Sequence, residues 1–156
     1  MASINDLKDL LSQDVQQLEQ LTNILRKEKS CLSSSDLSEL QALTTEKNQL
    51  LNQIRERARQ KIRVLVAIGY QPDRSSPSRF IQSTGQTELY ELWKQADQQM
   101  HECKTLNQNN GRVISHLQKR LSRLTSIFRG AAGQQKLYGA KGECTTVSGT
   151  NILASA

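Results

Sequence analysis

The sequence predicts an all-α protein: an antiparallel three-helix bundle of coiled-coil character, with a long third helix and a flexible C-terminal tail. Three observations carry that expectation. Leu, Gln, Ser, Lys, Arg and Glu dominate the 156 residues, as they do in long amphipathic helices. Two Pro and eight Gly are too few for a turn-rich β sandwich or barrel. Apolar residues recur at heptad spacing along three separate stretches.

The first stretch holds Ile4, Leu11, Leu18, Leu25 and Leu32, each seven residues from the next. Leu7, Val15, Leu21 and Ile24 widen the stripe, which predicts a helix over residues 3–30. Ser3 and Asp6 give it an S-x-x-D start, close to a capping box. CLSSSD then breaks the pattern. Asp36 and Glu39 form a second cap-like start, and Leu37, Leu40, Leu43, Leu50, Leu51, Ile54, Ala58, Ile62 and Leu65 carry helix 2 over residues 36–69. Gly69, Pro72 and Pro77 end it, leaving residues 70–86 as a Ser/Pro-rich connection.

The third stretch has the clearest pattern. Leu89, Ala96, Cys103, Asn110, Leu117 and Leu124 form one series; Trp93, Met100, Asn107, Ile114, Leu121 and Phe128 form another. They interleave as a 4-3 heptad over residues 87–129. The domain is therefore expected to span residues 1–129. Residues 130–156, rich in Gly, Ser and Thr and without periodicity, read as the tail. At about 1.5 Å per residue the helices span roughly 40, 50 and 65 Å. If each doubles back on the last, helix 3 outruns the start of helix 2 by about nine residues, or ~13 Å. The overhang falls near Leu121 to Arg129, still apolar at its heptad positions, and such a stripe is a candidate binding surface.

Composition narrows the function classes. Aromatics make up 4% of the chain, which argues against an enzyme pocket lined by rings. No apolar run approaches the ~20 residues of a membrane-spanning helix. The start, MASINDLKDLL, places acids among its leucines and is not expected to be a secretory signal. Cys31, Cys103 and Cys144 make an odd count with no C-x-x-C, which reads as reduced cytosolic thiols. The net charge of +6 suits an acidic partner.

No motif carries catalysis. There is no P-loop, no G-x-S-x-G and no G-x-G-x-x-G. His101 and His116 stand fifteen residues apart without a Cys or acid at metal-ligand spacing, and no Cys103–His116 nucleophile pair is expected. No cofactor, metal or small-molecule substrate is expected. Asn107 and Asn110 occupy core heptad positions, with Gly111 beside them, where a glycine lets another backbone come close. A polar layer that fixes helix alignment is favoured there over a ligand site. In RERARQKIR the bases at 55, 57, 59, 61 and 63 spread around a helix and lack interleaved aromatics, which favours a solvated face over nucleic-acid binding.

The motifs of helix 3 and the tail resemble a known family. TLNQNNGRVI followed some two dozen residues later by KLYGAKG, with LTTEKNQLL at residues 43–51, is similar to the FlgN-type flagellar export chaperones. The resemblance covers helix 2, helix 3 and the tail, and helix 1 fits in pattern only. It implies a non-enzymatic cytoplasmic chaperone of flagellar type III export, transiently at the membrane export gate. Its implied partners are the hook–filament junction proteins FlgK and FlgL, held by their C-terminal amphipathic helices, and the cytoplasmic domain of the gate component FlhA. The family's capture region maps onto Ile114, Leu117, Leu121, Leu124 and Phe128, and its gate-docking tyrosine onto Tyr138. The alternatives are a basic helical nucleic-acid-binding protein and a self-associating coiled-coil structural protein. Salt dependence separates the first from apolar capture, and stoichiometry separates the second.

Overall fold

A computed structural model describes the backbone of residues 1–137 and the side chains of residues 1–130. Among the described residues the chain is all-helical: α1 spans Ile4–Ser34, α2 Leu40–Ala67, α3 Pro77–Ser83 and α4 Thr87–Leu137. It divides into two compact units, Met1–Val113 and Ile114–Ala156. The first holds α1, α2, α3 and the N-terminal part of α4.

Helix α1 starts as its sequence dictates. The Ser3 hydroxyl accepts from the Asp6 amide at 3.3 Å, and the Asp6 carboxylate accepts from the Ser3 amide at 2.6 Å. This reciprocal capping box satisfies two amides that the first turn leaves without carbonyl partners. The helix runs past residue 30 to Ser34 because its stripe does: Leu32 is buried.

Helix α2 begins at Leu40, later than the cap pattern at Asp36 suggests. The Asp36 carboxylate accepts instead from the Ser38 amide at 3.2 Å and from its hydroxyl at 2.7 Å, closing a local turn. Those two bonds hold the Asp36 carboxyl below its ordinary range. Helix α2 ends at Ala67, and two residues on the chain turns at Gly69, whose φ of 111° is one that L side chains rarely adopt. There the Tyr70 amide donates to the Leu65 carbonyl at 2.9 Å and the Gly69 amide to Val66 at 3.1 Å, a Schellman closure.

The connection over residues 70–86 is not irregular throughout, as its Ser/Pro content suggested, but contains α3. Ser76 caps it, accepting from the Arg79 amide at 3.4 Å, and Pro77 occupies the first turn, where its missing N–H costs nothing. Its apolar residues hold it in place. Ile81 is fully buried, and Phe80 meets Tyr70 with ring centroids 5.6 Å apart. The Trp93 indole donates to the Ser78 hydroxyl at 2.9 Å, tying α3 to α4.

The core of the first unit runs through Leu7, Leu11, Leu18, Leu21 and Leu25 of α1, Ile54 and Leu65 of α2, and Leu89, Ala96 and Cys103 of α4. A fully buried Leu contributes about 1.5–3 kcal/mol, so this set supplies most of the driving force for folding. Polar pairs fix the helix register. Glu28 meets Lys47, Gln17 meets Gln53, and Asp14 meets Arg57 and Lys61, so partner numbers run in opposite senses along α1 and α2. Lys8 meets Glu88, Leu18 meets Cys103 and Leu25 meets Asn110, so they run in the same sense along α1 and α4.

Helix α4 does not end at Arg129 but continues to Leu137. The added residues, GAAGQQKL, include Ala, Gln, Lys and Leu, all good helix formers. They extend an existing helix, so the nucleation cost is already met and two glycines do not stop it. The expected tail over 130–156 therefore begins as helix, and the rest of it lies outside the described residues.

Candidate functional site: an apolar stripe turned outward

One helix carries one heptad pattern in two different environments. In the first series Leu89 is 0% exposed, Ala96 5%, Cys103 3% and Asn110 2%; Leu117 is then half-buried and Leu124 53% exposed. In the second series Trp93 is half-buried, Met100 36% exposed, and Asn107 and Ile114 half-buried, while Leu121 is 66% and Phe128 72% exposed. At about 100° per residue, Ile114, Leu117, Leu121, Leu124 and Phe128 fall within one arc of α4. Exposed Ile127 widens that arc, outside the strict heptad frame that names the others. So many large apolar side chains on one exposed face mark an interaction surface. Anchors at i, i+3, i+4 and i+7 are the pattern by which a groove and a helix recognise each other.

The polar positions sort differently from their sequence pattern. Asn110 is buried and its amide donates twice, to the Leu25 carbonyl at 2.9 Å and to Glu28 Oε1 at 3.0 Å. Glu28, also fully buried, accepts from Lys47 at 2.9 Å. Asn107 is only half-buried. Gly111 is exposed, and nothing lies within 4 Å of where its Cβ would sit. No backbone approaches it, contrary to the expectation drawn from its small size.

The basic segment of α2 also divides. Arg57 and Lys61, one turn apart, turn inward onto the buried Asp14. Arg57 donates to Asp14 at 3.1 Å and to Gln17 at 2.6 Å, and the Lys61 ammonium also lies 5.7 Å from the Trp93 ring centroid. Arg55, Arg59 and Arg63 face solvent. This Asp14 cluster escapes a motif search, although two signals were available: Asp14 lies on the α1 stripe between Leu11 and Leu18, and Arg57 and Lys61 share a face.

His101 and His116 are both exposed. Cys103 is buried, its sulfur 3.1 Å from the Thr22 hydroxyl and 3.5 Å from the Leu18 carbonyl, and burial pushes its thiol pKa up. Tyr138 and Cys144 lie outside the described residues. Among the described residues no helix is long and apolar enough to cross a membrane.

Fold and stripe together define a class: among the described residues, an all-helical chain whose long last helix presents an open apolar heptad face. The family model described as FlgN protein matches residues 1–146, and the chain belongs to that family. The family implies a chaperone role in flagellar export. No curated protein and no solved structure matches the chain.

Proposed function

We propose that the chain is a non-enzymatic, cytoplasmic chaperone of flagellar type III export that captures the C-terminal helices of the hook–filament junction proteins FlgK and FlgL. Residues 4–113 supply the scaffold, an antiparallel three-helix bundle to which α3 is appended. Ile114, Leu117, Leu121, Leu124 and Phe128 supply the capture stripe. A partner helix laid on the stripe would have its own apolar face covered, which keeps it from assembling early and from aggregating. The loaded chaperone then delivers it to the export gate, with Tyr138 docking on the cytoplasmic domain of FlhA.

The single observation that carries this reading is the outward turn of the heptad stripe along α4. Magnitudes say what the stripe can do. Burying the four exposed side chains of this face, Leu121, Leu124, Ile127 and Phe128, contributes at most about 6–12 kcal/mol, and association costs at least about 4 kcal/mol. The difference reaches at best about 8 kcal/mol, near micromolar affinity. That suits a carrier that must release its cargo.

The test is calorimetry of the full chain against the C-terminal segments of FlgK and FlgL. Saturable one-to-one binding in the micromolar range supports the reading. Absence of binding to both overturns it. Self-association through α4 that persists with either segment in excess would favour the coiled-coil structural reading instead.

A further inference from the structure

The capture stripe lies in a stretch of one charge sign. From Lys104 to Gly142 the sequence contains no Asp and no Glu, while it contains Lys104, Arg112, Lys119, Arg120, Arg123, Arg129, Lys136 and Lys141. A surface helix ordinarily mixes acids and bases at i, i+4, which supports it; here Lys119 and Arg123 stand in like-charge i, i+4 register and Arg120 and Arg123 in i, i+3. Neither Arg120, Arg123 nor Arg129 forms an ion pair among the described residues, and all three are exposed. At about 100° per residue, Arg120 lies some 40° beyond the Leu124 edge of the stripe and Arg129 some 60° beyond Ile114 at the opposite edge, while Arg123 lies about 100° beyond Leu124, past exposed Ile127.

The geometry points to an acidic amphipathic helix as the occupant of this stripe, its apolar heptads on Leu117, Leu121, Leu124 and Phe128 and its flanking carboxylates toward Arg120 and Arg129, with Arg123 adding to the positive field. This rests on the capture reading above and names the chemistry of its partner. Arg120 holds a g-type position beside the seam, where charges in a coiled coil select partner and orientation, while Arg123 and Arg129 stand further round the helix and add to the positive field. An acidic flank would relieve the like-charge crowding and speed encounter by steering. A basic amphipathic helix could also lie on an anionic membrane, but that would impose no heptad. This stripe keeps its 4-3 spacing from Leu89 to Phe128, the period of a helix packed against helices. Nucleic acid would use the charge and leave four exposed aliphatic and aromatic side chains without a role.

The experiment uses the full chain and two synthetic helical peptides. Both carry the same Leu/Ile heptads; one has Glu and the other Lys at every flanking position. The Glu peptide should bind about tenfold tighter or more, as expected when several exposed pairs change sign. The preference should shrink as salt is raised from about 0.05 to 0.5 M, where screening shortens the reach of exposed charges. The double variant Arg120→Glu/Arg129→Glu should invert the preference while circular dichroism stays helical. Equal binding of both peptides, or no response to the double variant, overturns the inference. If the junction-protein segments still bind in that case, the capture reading stands and only its charge selectivity falls. If those segments and both peptides all fail to bind, the capture reading falls as well. Phosphatidylglycerol vesicles or a single-stranded oligonucleotide that bind tighter than the Glu peptide and displace it would overturn the inference in favour of those ligands.

Discussion

The amide of Asn110 on α4 donates to the carboxylate of Glu28 on α1 at 3.0 Å, and both side chains are buried. That bond makes the asparagine part of a chain: Lys47 to Glu28 to Asn110 joins α2, α1 and α4 at one level. Buried amides at heptad positions usually set register at a cost in stability, so the sequence alone suggests that Asn110→Leu would hold or raise stability. The geometry reverses that expectation. Leucine would remove a donor from a buried carboxylate and leave it to Lys47 alone. A hydrogen bond to a charged group contributes about 1.5–3 kcal/mol. Asn110→Leu should therefore lower stability by about that amount, measured by urea unfolding at constant m-value. An unchanged midpoint would show that Lys47 suffices.

The Asp14 cluster gives a second, larger effect. Asp14 is fully buried and faces two cations, Arg57 and Lys61, whose side chains are only 11% and 13% exposed. Removing the one anion leaves both cations beside a desolvated site. Breaking a buried pair in this way costs about 3–5 kcal/mol. Asp14→Ala should fall near the low end, since Arg57 keeps Gln17 and Lys61 keeps the Trp93 ring. Asp14→Leu combined with Lys61→Met should recover much of the loss. Thermal melts of the single and double variants check both statements.

How much of this was legible in the sequence depends on period and length. The heptads of helix 3 pick out Leu89, Ala96 and Cys103, and these are buried, because a repeat held over many turns leaves one solution for which face packs. The capping box at Ser3 and Asp6 was legible because its two bonds are local. Helix α3 was not: seven residues are too short for a periodicity, although Ser76 before Pro77 is a start signal. The basic run misled for a related reason. Its bases alternate with a period of two, which hides a split with a period of four, Arg57 and Lys61 inward against Arg55, Arg59 and Arg63 outward. Of the stripe, Ile127 was missed because it lies off the heptad frame. Position on a helix face is readable from spacing; which face meets which partner needs the fold.

The cysteines should react in a fixed order. Cys103 is buried and its thiol is pushed above the ordinary value of 9.0 by desolvation. Alkylation needs the thiolate, so Cys103 is poor in both access and ionisation. Cys31, near the end of α1, is half-buried. Iodoacetamide at neutral pH should label Cys31 well before Cys103, as followed by peptide mass spectrometry. The sign for stability follows: the raised Cys103 contributes stability that is complete below about pH 9 and declines as pH rises through its folded value.

Tyr138 belongs to the separate task of gate docking in the proposed function. A tyrosine offers a large apolar face and a hydroxyl, a common interface anchor. If docking and capture are distinct, Tyr138→Ala should weaken binding to the FlhA cytoplasmic domain and leave binding of the FlgK and FlgL segments within about twofold. Calorimetry of both interactions on the same variant decides. Equal loss of both would make tail and stripe one site.

Leu121 and Leu124 carry the sharpest test of the stripe. They are 66% and 53% exposed on α4, so an aspartate at either position meets water in the free chain. Neither variant should lose more than about 0.5 kcal/mol of stability, the usual range for exposed positions away from packing. In a complex the same carboxylate would be buried without a partner unless Arg120 or Arg123 could reach it. Burying an unpaired charge costs several kcal/mol, enough to erase micromolar binding. Leu121→Asp and Leu124→Asp should therefore abolish capture of the junction-protein segments while circular dichroism and melting stay nearly unchanged. Leu121→Met and Leu124→Met, which keep volume and apolar character, should bind within about threefold of the parent chain. If the Asp variants unfold, these side chains pack as core; if they bind like the parent, capture occurs elsewhere on the chain.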